Sequence, residues 1–252
     1  MLEFKNVSVS CGRTPILNQI SVSFPKGLIT VLIGPNGCGK TTLLQCLNGS
    51  SRVTSGEILL EGQDFLRLSP KERARKVSFL PQVRSIIPAI PVRTLVEHGR
   101  FPYLGFSRKK TEKDMQIVEH ALCFTHTAPY ADQSTDTLSG GIRQRVFLAM
   151  TLAQDCDYLV LDEPATYLDP DGQKDLLSLL QELKACGKTI IVTLHDLSQA
   201  IRLADRLVVM DQRKIIAQNT PSECLDRHII QDVFHVSCKQ FQDEEGIYYF
   251  FH

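Results

Sequence analysis

The strongest constraint on this chain is a single stretch, residues 28–47, which reads LITVLIGPNGCGKTTLLQCL. An apolar, β-branched run leads into GxxxxGK followed by Thr and then into a helical pattern. That order confines the region to a strand, a tight glycine loop and the start of a helix. Gly34, Pro35, Asn36, Gly37, Cys38, Gly39, Lys40, Thr41 and Thr42 form the loop. Glycines let successive backbone N–H groups turn inward around phosphate oxygens, and the helix N-terminus adds positive potential. Lys40 then reaches the β- and γ-phosphates, and the Thr41 hydroxyl is placed to hold Mg²⁺. Taken alone, the loop fits kinases, GTPases and ATPases equally.

The rest of the chain supports an α/β fold with a largely parallel sheet. Short Val/Ile-rich runs at 28–33, 77–80, 158–161 and 189–194 alternate with helical periods. Between the last two, Leu176, Leu179, Leu180 and Leu183 repeat on one helix face, and Gly187 supplies a stop. Alternation at 4–10 and 20–24, and a hairpin pattern at 57–62, predict an antiparallel layer beside the main sheet. From about 84 to 157 strand signals give way to helical ones, notably 112–122 after a capping Thr111 and the run after Ser139. The expectation is one domain, 1–252, with an α/β core formed by 1–83 and 158–252 and a helical insert over 84–157. Within the C-terminal stretch, 241–251 reads as an aromatic-rich hairpin with a packing role.

Composition excludes several classes. The 28 Lys plus Arg balance 28 Asp plus Glu, so no basic excess marks a nucleic-acid or anionic-lipid binder. The longest segment without those residues runs only from 27 to 39, well short of the ~20 apolar residues of a membrane-spanning helix. The first residues, MLEFKNVSVSCG, show no signal-peptide pattern. The eight cysteines are scattered without a CxxC pair, as expected of apolar thiols in a reducing cytoplasm.

Two further clusters carry chemistry. YLVLDE, 158–163, is an apolar strand ending in adjacent carboxylates. Asp162 is placed to hold a phosphate-bound Mg²⁺, and Glu163 to polarise the attacking water. LSGGIRQR, 138–145, opens a helix, where Ser139, Gly140 and Gly141 offer a small hydroxyl and unobstructed N–H groups. This is a second anion-binding device in one chain.

On these three clusters, in the chain order phosphate loop, LSGGIRQR, YLVLDE, the chain resembles the ATP-binding subunit of an ATP-binding cassette (ABC) transporter over nearly its whole length. GPNGCGKTT looks like the Walker A loop, YLVLDE like Walker B and LSGGIRQR like the family signature. Gln82 in FLPQ matches the Q-loop glutamine, Asp169 in YLDP the D-loop aspartate and His195 in TLHD the switch histidine. The resemblance implies a P-loop NTPase (RecA-like) core with an antiparallel β-layer and a helical subdomain carrying the signature. It also implies a head-to-tail homodimer that sandwiches two ATP molecules, so that Ser139, Gly140 and Gly141 serve the partner's γ-phosphate. Lys40, Thr41, Gln82 and Asp162 would hold phosphate and Mg²⁺ (Thr41, Gln82 and Asp162 as metal-side groups), Glu163 would activate water, and His195 would contact the γ-phosphate. The implied partners are a polytopic permease, docked at the helical insert and the segment after Gln82, and indirectly a substrate-binding protein. That places the chain at the cytoplasmic face of the membrane, held there through the permease.

A finer likeness, to importers of iron chelates and related corrinoid or haem compounds, rests on GRFPY at 99–103, MTLAQD at 150–155 and the run 194–210. Ferric siderophore is the favoured cargo, with cobalamin or haem as alternatives. A soluble ABC ATPase of repair or cluster assembly shares the core motifs, and a regulatory module that closes on ATP is the third class. Where the family places an adenine-stacking aromatic, this chain has Cys11. Either ATP is held more weakly, or another side chain covers the base. Ile142 and Ala165 depart from the common Gln and Thr without removing a proposed catalytic group.

Overall fold

The computed structural model describes all residues except 13, 83–88, 106–108, 167 and 244–245; the side chains of residues 11, 243, 246 and 247 are likewise not described. Internal contacts divide the chain into two compact units, 1–68 together with 189–252, and 69–188.

In the first unit, strands β1 (Leu2–Cys11), β2 (Thr14–Phe24), β4 (Val53–Leu60) and β5 (Gln63–Asp64) form an antiparallel sheet in the order β2-β1-β4-β5. Its alternation buries Leu2, Phe4, Val7 and Val9 from β1 and Leu17, Ile20, Val22 and Phe24 from β2, which fits a sheet with one packed face. The expected hairpin closes at Glu61 and Gly62, both at positive φ (52° and 81°), between the paired residues Leu60 and Gln63.

The same unit holds β3 (Ile29–Ile33) with β8 (Thr189–Thr193) and β9 (Arg206–Asp211) parallel on either side of it, and β10 (Lys214–Asn219) antiparallel to β9. β3 and β8 are buried at every residue, which is why their only polar members are the small threonines Thr30, Thr189 and Thr193. Asp205 anchors the entry to β3 by accepting the Ile29 N–H at 2.8 Å, while the Thr189 hydroxyl accepts the Gly27 N–H at 2.9 Å. Helix α1 (Lys40–Asn48) follows β3, and α7 (Leu197–Leu203) follows β8.

Two short helices, α8 (Pro221–Asp226) and α9 (Ile229–Phe234), precede a two-stranded sheet of β11 (Cys238–Asp243) and β12 (Gly246–Phe251). This is the expected C-terminal hairpin; its turn lies outside the described residues. It packs on α7, with the Ser198 hydroxyl donating to the Tyr249 carbonyl at 2.6 Å and the Arg202 guanidinium 5.0 Å from the Tyr248 ring centre.

The second unit opens with α2 (Pro70–Ala74), then β6 (Val77–Leu80), α3 (Val92–Glu97), α4 (Glu112–Phe124), α5 (Gly140–Ala153), β7 (Tyr158–Leu161) and α6 (Pro170–Ala185). Strands β6 and β7 pair in parallel, Val77 with Tyr158 through Leu80 with Leu161. The core of the helical part joins Val92, Leu95 and Val96 of α3, Val118, Ala121 and Leu122 of α4, and Val146, Ala149 and Ala153 of α5. Thr111 caps α4 in a reciprocal capping box with Asp114. The unit is wider than the helix-rich stretch 84–157 because the β6–β7 pair and α6 pack with these helices; Arg145 of α5 bonds Asp175 of α6 at 2.5 Å.

GRFPY, singled out for its likeness, is a clamp built on the buried Gly99 and Arg100, with Phe101 exposed. Arg100 Nε donates to Asp114 Oδ1 at 2.9 Å and a terminal nitrogen donates to the Ala153 carbonyl at 2.8 Å, with the guanidinium 4.0 Å above the Tyr103 ring centre. A Cβ on Gly99 would lie 2.3 Å from the Met150 carbonyl oxygen, so only glycine fits there.

Candidate functional site

In the first unit β3 delivers the loop 34–39 onto α1. Gly39 precedes the helix at φ 104°, and a Cβ there would sit 2.6 Å from a Leu17 methyl. A Cβ on Gly34 would lie 2.2 Å from the Met210 carbonyl oxygen, so the loop starts pressed against the end of β9. Glycine is needed at both positions, which leaves the loop's concave side to backbone N–H groups. Lys40 is only 7% exposed, and its ammonium donates to the carbonyls of Gly34 at 2.7 Å and Pro35 at 3.1 Å, with Cys38 Sγ at 3.9 Å. Its charge is therefore centred on the loop interior. Burial pushes the Cys38 thiol up despite the neighbouring Lys40, which keeps it a neutral lining group. Thr41 and Thr42 occupy the half-buried first turn of α1. His195 is exposed immediately after β8, just ahead of Asp196, which caps α7 by accepting the Gln199 N–H at 2.8 Å.

In the second unit, β7 is buried throughout and ends at Asp162, 2% exposed, whose N–H continues the ladder to the Leu80 carbonyl at 2.9 Å. Glu163 follows at φ 52°, a left-handed backbone uncommon for a residue with a side chain. Gln82, just beyond β6, donates its amide to Glu163 Oε2, and the Thr166 hydroxyl donates to the same oxygen at 3.3 Å. The structure thus brings Gln82 and Glu163 into direct contact and adds Thr166, which no sequence signal marked.

Ser139 caps α5, its hydroxyl accepting the Ile142 N–H at 3.4 Å, and Ser139 and Gly140 are exposed. A Cβ on Gly141 would meet only a Leu168 methyl at 3.6 Å, an ordinary contact. The fold does not require glycine there. Leu168 immediately precedes Asp169, which caps α6 by accepting the Gly172 N–H at 2.8 Å, so the signature and the D-loop aspartate lie side by side. The Cys11 side chain, the residues after Gln82 and Tyr167 lie outside the described residues.

In the first unit the loop offers N–H groups and an ammonium, the donors a phosphate takes, together with the Thr41 hydroxyl. In the second unit Asp162 offers a carboxylate and Gln82 an amide oxygen; each of these three oxygen groups is of the hard kind that Mg²⁺ prefers. Among the described residues there is no group of three or more His, Cys, Asp or Glu able to hold a metal without a ligand's help. Likewise, none of the described helices is long and apolar enough to cross a membrane.

Residues 17–166 match the family described as ABC transporter. The chain is 42% identical over 94% of its length, and 88% of the relative's, to the petrobactin import ATP-binding protein FpuD of Bacillus anthracis. It is 37% identical to the ferric enterobactin transport ATP-binding protein FepC of Escherichia coli K12, covering 96% and 90% of the two chains. Among solved structures, a metal-chelate type ABC transporter in an inward-facing conformation superposes with TM-score 0.85 at 27% identity, over 100% of this chain and 96% of the other. The dimeric cassette MJ0796 bound to ADP and Pi gives 0.77 at 25% identity, over 88% and 99%. With the phosphate loop, the carboxylate-ended strand and the glycine-opened helix all in place, these likenesses establish that the chain belongs to the ABC transporter family, as one of its ATP-binding, ATP-hydrolysing cassettes.

Proposed function

We propose that this cassette drives import of a ferric siderophore, working as a homodimer on a polytopic permease at the cytoplasmic face of the membrane and, through it, with a substrate-binding protein. The carrying observation is that FpuD, FepC and the probable siderophore transport protein YusV of Bacillus subtilis, 41% identical over 95% of this chain, are all named for siderophore systems. The hemin import protein HmuV of Rhodococcus jostii, 33% identical, is the basis for a haem alternative.

In the proposed reaction Lys40 and the loop N–H groups bind and orient the β- and γ-phosphates. Thr41, Asp162 and the Gln82 oxygen hold Mg²⁺, which neutralises phosphate charge when bound. With its Nε2 committed to Glu163, the Gln82 amide has only its oxygen to give a cation. Glu163 takes the proton of the attacking water as the water oxygen bonds to the γ-phosphorus and the bond to the ADP oxygen breaks. His195 contacts the γ-phosphate. Ser139, Gly140 and Gly141 serve the nucleotide held by the second copy, a reading supported by the exposure of Ser139 and Gly140 and by a glycine at 141 that the fold does not require. Asp169, beside them, lies on that same surface. Residues 84–157 act as the helical arm that meets the permease.

Two measurements test this. Purified chain should release phosphate from ATP with Mg²⁺, and cells lacking its gene should lose uptake of radiolabelled ferric siderophore, restored by the intact chain and not by Lys40→Ala. Undiminished siderophore uptake with lost hemin-dependent growth would move the cargo to haem.

A further inference from the structure

The second unit contains a cavity of about 190 Å³ between α5, α6 and the end of α4. An apolar cavity of about 150 Å³ is enough for benzene, so this one has room for a single ring with a substituent. Leu80 of β6, Leu148 of α5 and Leu176 and Leu179 of α6 form its apolar wall. Most of its polar groups are committed elsewhere. Arg145 and Asp175 bond each other, and the Thr125 hydroxyl donates to the Ala121 carbonyl at 2.9 Å. His126, Ser178 and Glu182 are exposed to solvent. Gln144 of α5 is the exception. It lines the cavity and is only 9% exposed, yet among the described residues its amide has no hydrogen-bond partner. Buried polar side chains are ordinarily paired. Gln154, just past the other end of α5, is so paired, giving its amide to the carbonyls of Ala74 and Val77.

We infer that this cavity is a binding site for a small uncharged ligand, an apolar ring carrying a carboxamide or lactam edge, and that its occupancy slows turnover. A glutamine amide presents an acceptor and a donor side by side, the complement of an amide edge that offers the reverse. Leaving such a group buried and unpaired costs free energy, and a ligand that pairs with both atoms recovers it. The leucine wall receives the ring. A charge on the ligand is disfavoured, because an apolar wall penalises it and Arg145 and Asp175 already neutralise each other. The effect on turnover follows from position. α5 begins at the Ser139 cap and α6 at the Asp169 cap. Leu80 stands two residues before Gln82, and Pro164, also on the wall, follows Glu163. A ligand held between α5 and α6 therefore ties the signature helix to the elements that carry Gln82, Glu163 and Asp169, and conformational steps of this kind set many turnover rates. The slowing rests on the proposed roles of those residues; the binding does not.

The test compares benzamide, which has the ring and the amide edge, with toluene, which has the ring alone. Both are titrated by ligand-observed NMR into the full chain with ADP present at saturation, so that neither reports on the nucleotide site. Benzamide should bind saturably with a dissociation constant on the order of 1 mM, as befits so small a molecule. Gln144→Leu should weaken benzamide roughly 3- to 30-fold and leave toluene bound as tightly or more so. Should Gln144→Leu fail to fold, Ser178→Trp, at an exposed position on the rim, should exclude both probes. Saturating benzamide should lower phosphate release from ATP roughly 2- to 5-fold. Absence of saturable benzamide binding, equal weakening of both probes by Gln144→Leu, or undiminished binding to Ser178→Trp would each overturn the inference. Benzamide that binds without slowing phosphate release would overturn the effect on turnover. Absence of phosphate release from the unaltered chain would instead overturn the proposed reaction, and the binding measurement would still stand or fall by itself.

Discussion

The Gln82 side-chain amide donates a hydrogen bond to the Glu163 carboxylate, across 81 residues of sequence. Both residues follow strands of one parallel pair, β6 and β7, so the shared ladder sets their spacing. With the Thr166 hydroxyl on the same oxygen, two donors fix the orientation of the proposed base. Gln82→Ala removes one of them. Hydrogen bonds to a charged group contribute about 1.5–3 kcal/mol, so turnover should fall roughly 10- to 100-fold while the ATP dissociation constant changes only a few-fold. Phosphate release against ATP concentration separates the two. A loss confined to affinity would mean that Gln82 serves binding and not the orientation of Glu163.

Glu163→Gln keeps the size of the side chain and an oxygen able to accept from Gln82 and Thr166, but removes the proton acceptor. General-base removal typically costs about 10²–10⁴ in rate. Turnover should drop by that order while ATP still induces a dimer on size-exclusion chromatography. Turnover at the unaltered rate would remove Glu163 from its role.

How far the sequence could be read depended on whether the information was contiguous. The phosphate loop, Asp162 and Glu163 sit in unbroken strings whose order carries their chemistry. Strands 77–80 and 158–161 emerged with their observed ends, because buried parallel strands are predominantly apolar (only Ser78 is polar among these eight residues) and stop abruptly at Pro81 and Asp162. Helix α6 begins at Pro170, six residues before Leu176, the first leucine of its apolar face, since its start is written in the Asp169 cap and Pro170 and not in periodicity. Helices α2 and α8 are too short for a period to show, although each carries a capping box with Pro at its start, Ser69 with Glu72 and Thr220 with Glu223. The Gln82–Glu163 contact, the Thr166 donor and the Arg100–Asp114 clamp join residues distant in the chain or outside any motif. Only the fold makes them neighbours.

Gly141→Ala should separate stability from activity. A Cβ there makes only an ordinary contact with Leu168, 3.6 Å away, and alanine is favoured over glycine in a helix by roughly 0.5–1 kcal/mol. Thermal unfolding should occur at the same temperature or a few degrees higher. ATPase turnover should fall, because the methyl obstructs the N–H groups proposed to meet the second copy's nucleotide. Unchanged turnover would leave the signature with a helix-capping role alone.

The Arg100–Asp114 pair yields a pH-dependent stability. Their side chains are 5% and 9% exposed. Desolvation alone pushes the Asp114 carboxyl up, yet hydrogen bonds from the Thr111 N–H and hydroxyl, with the Arg100 guanidinium, hold it below its usual value of 3.8. A carboxyl whose folded pKa is depressed contributes stability that is fully present above the unfolded value. That stability disappears as pH falls through the folded value. Asp114→Ala strands a buried guanidinium and removes the α4 cap bonds, so it should destabilise by roughly 3–5 kcal/mol at neutral pH. The gap between variant and unaltered chain in urea midpoint should hold from pH 7 to about pH 5 and narrow as the solution is taken below pH 3.8. A gap that stays constant through that acid range would show that Asp114 contributes by packing and not by its charge.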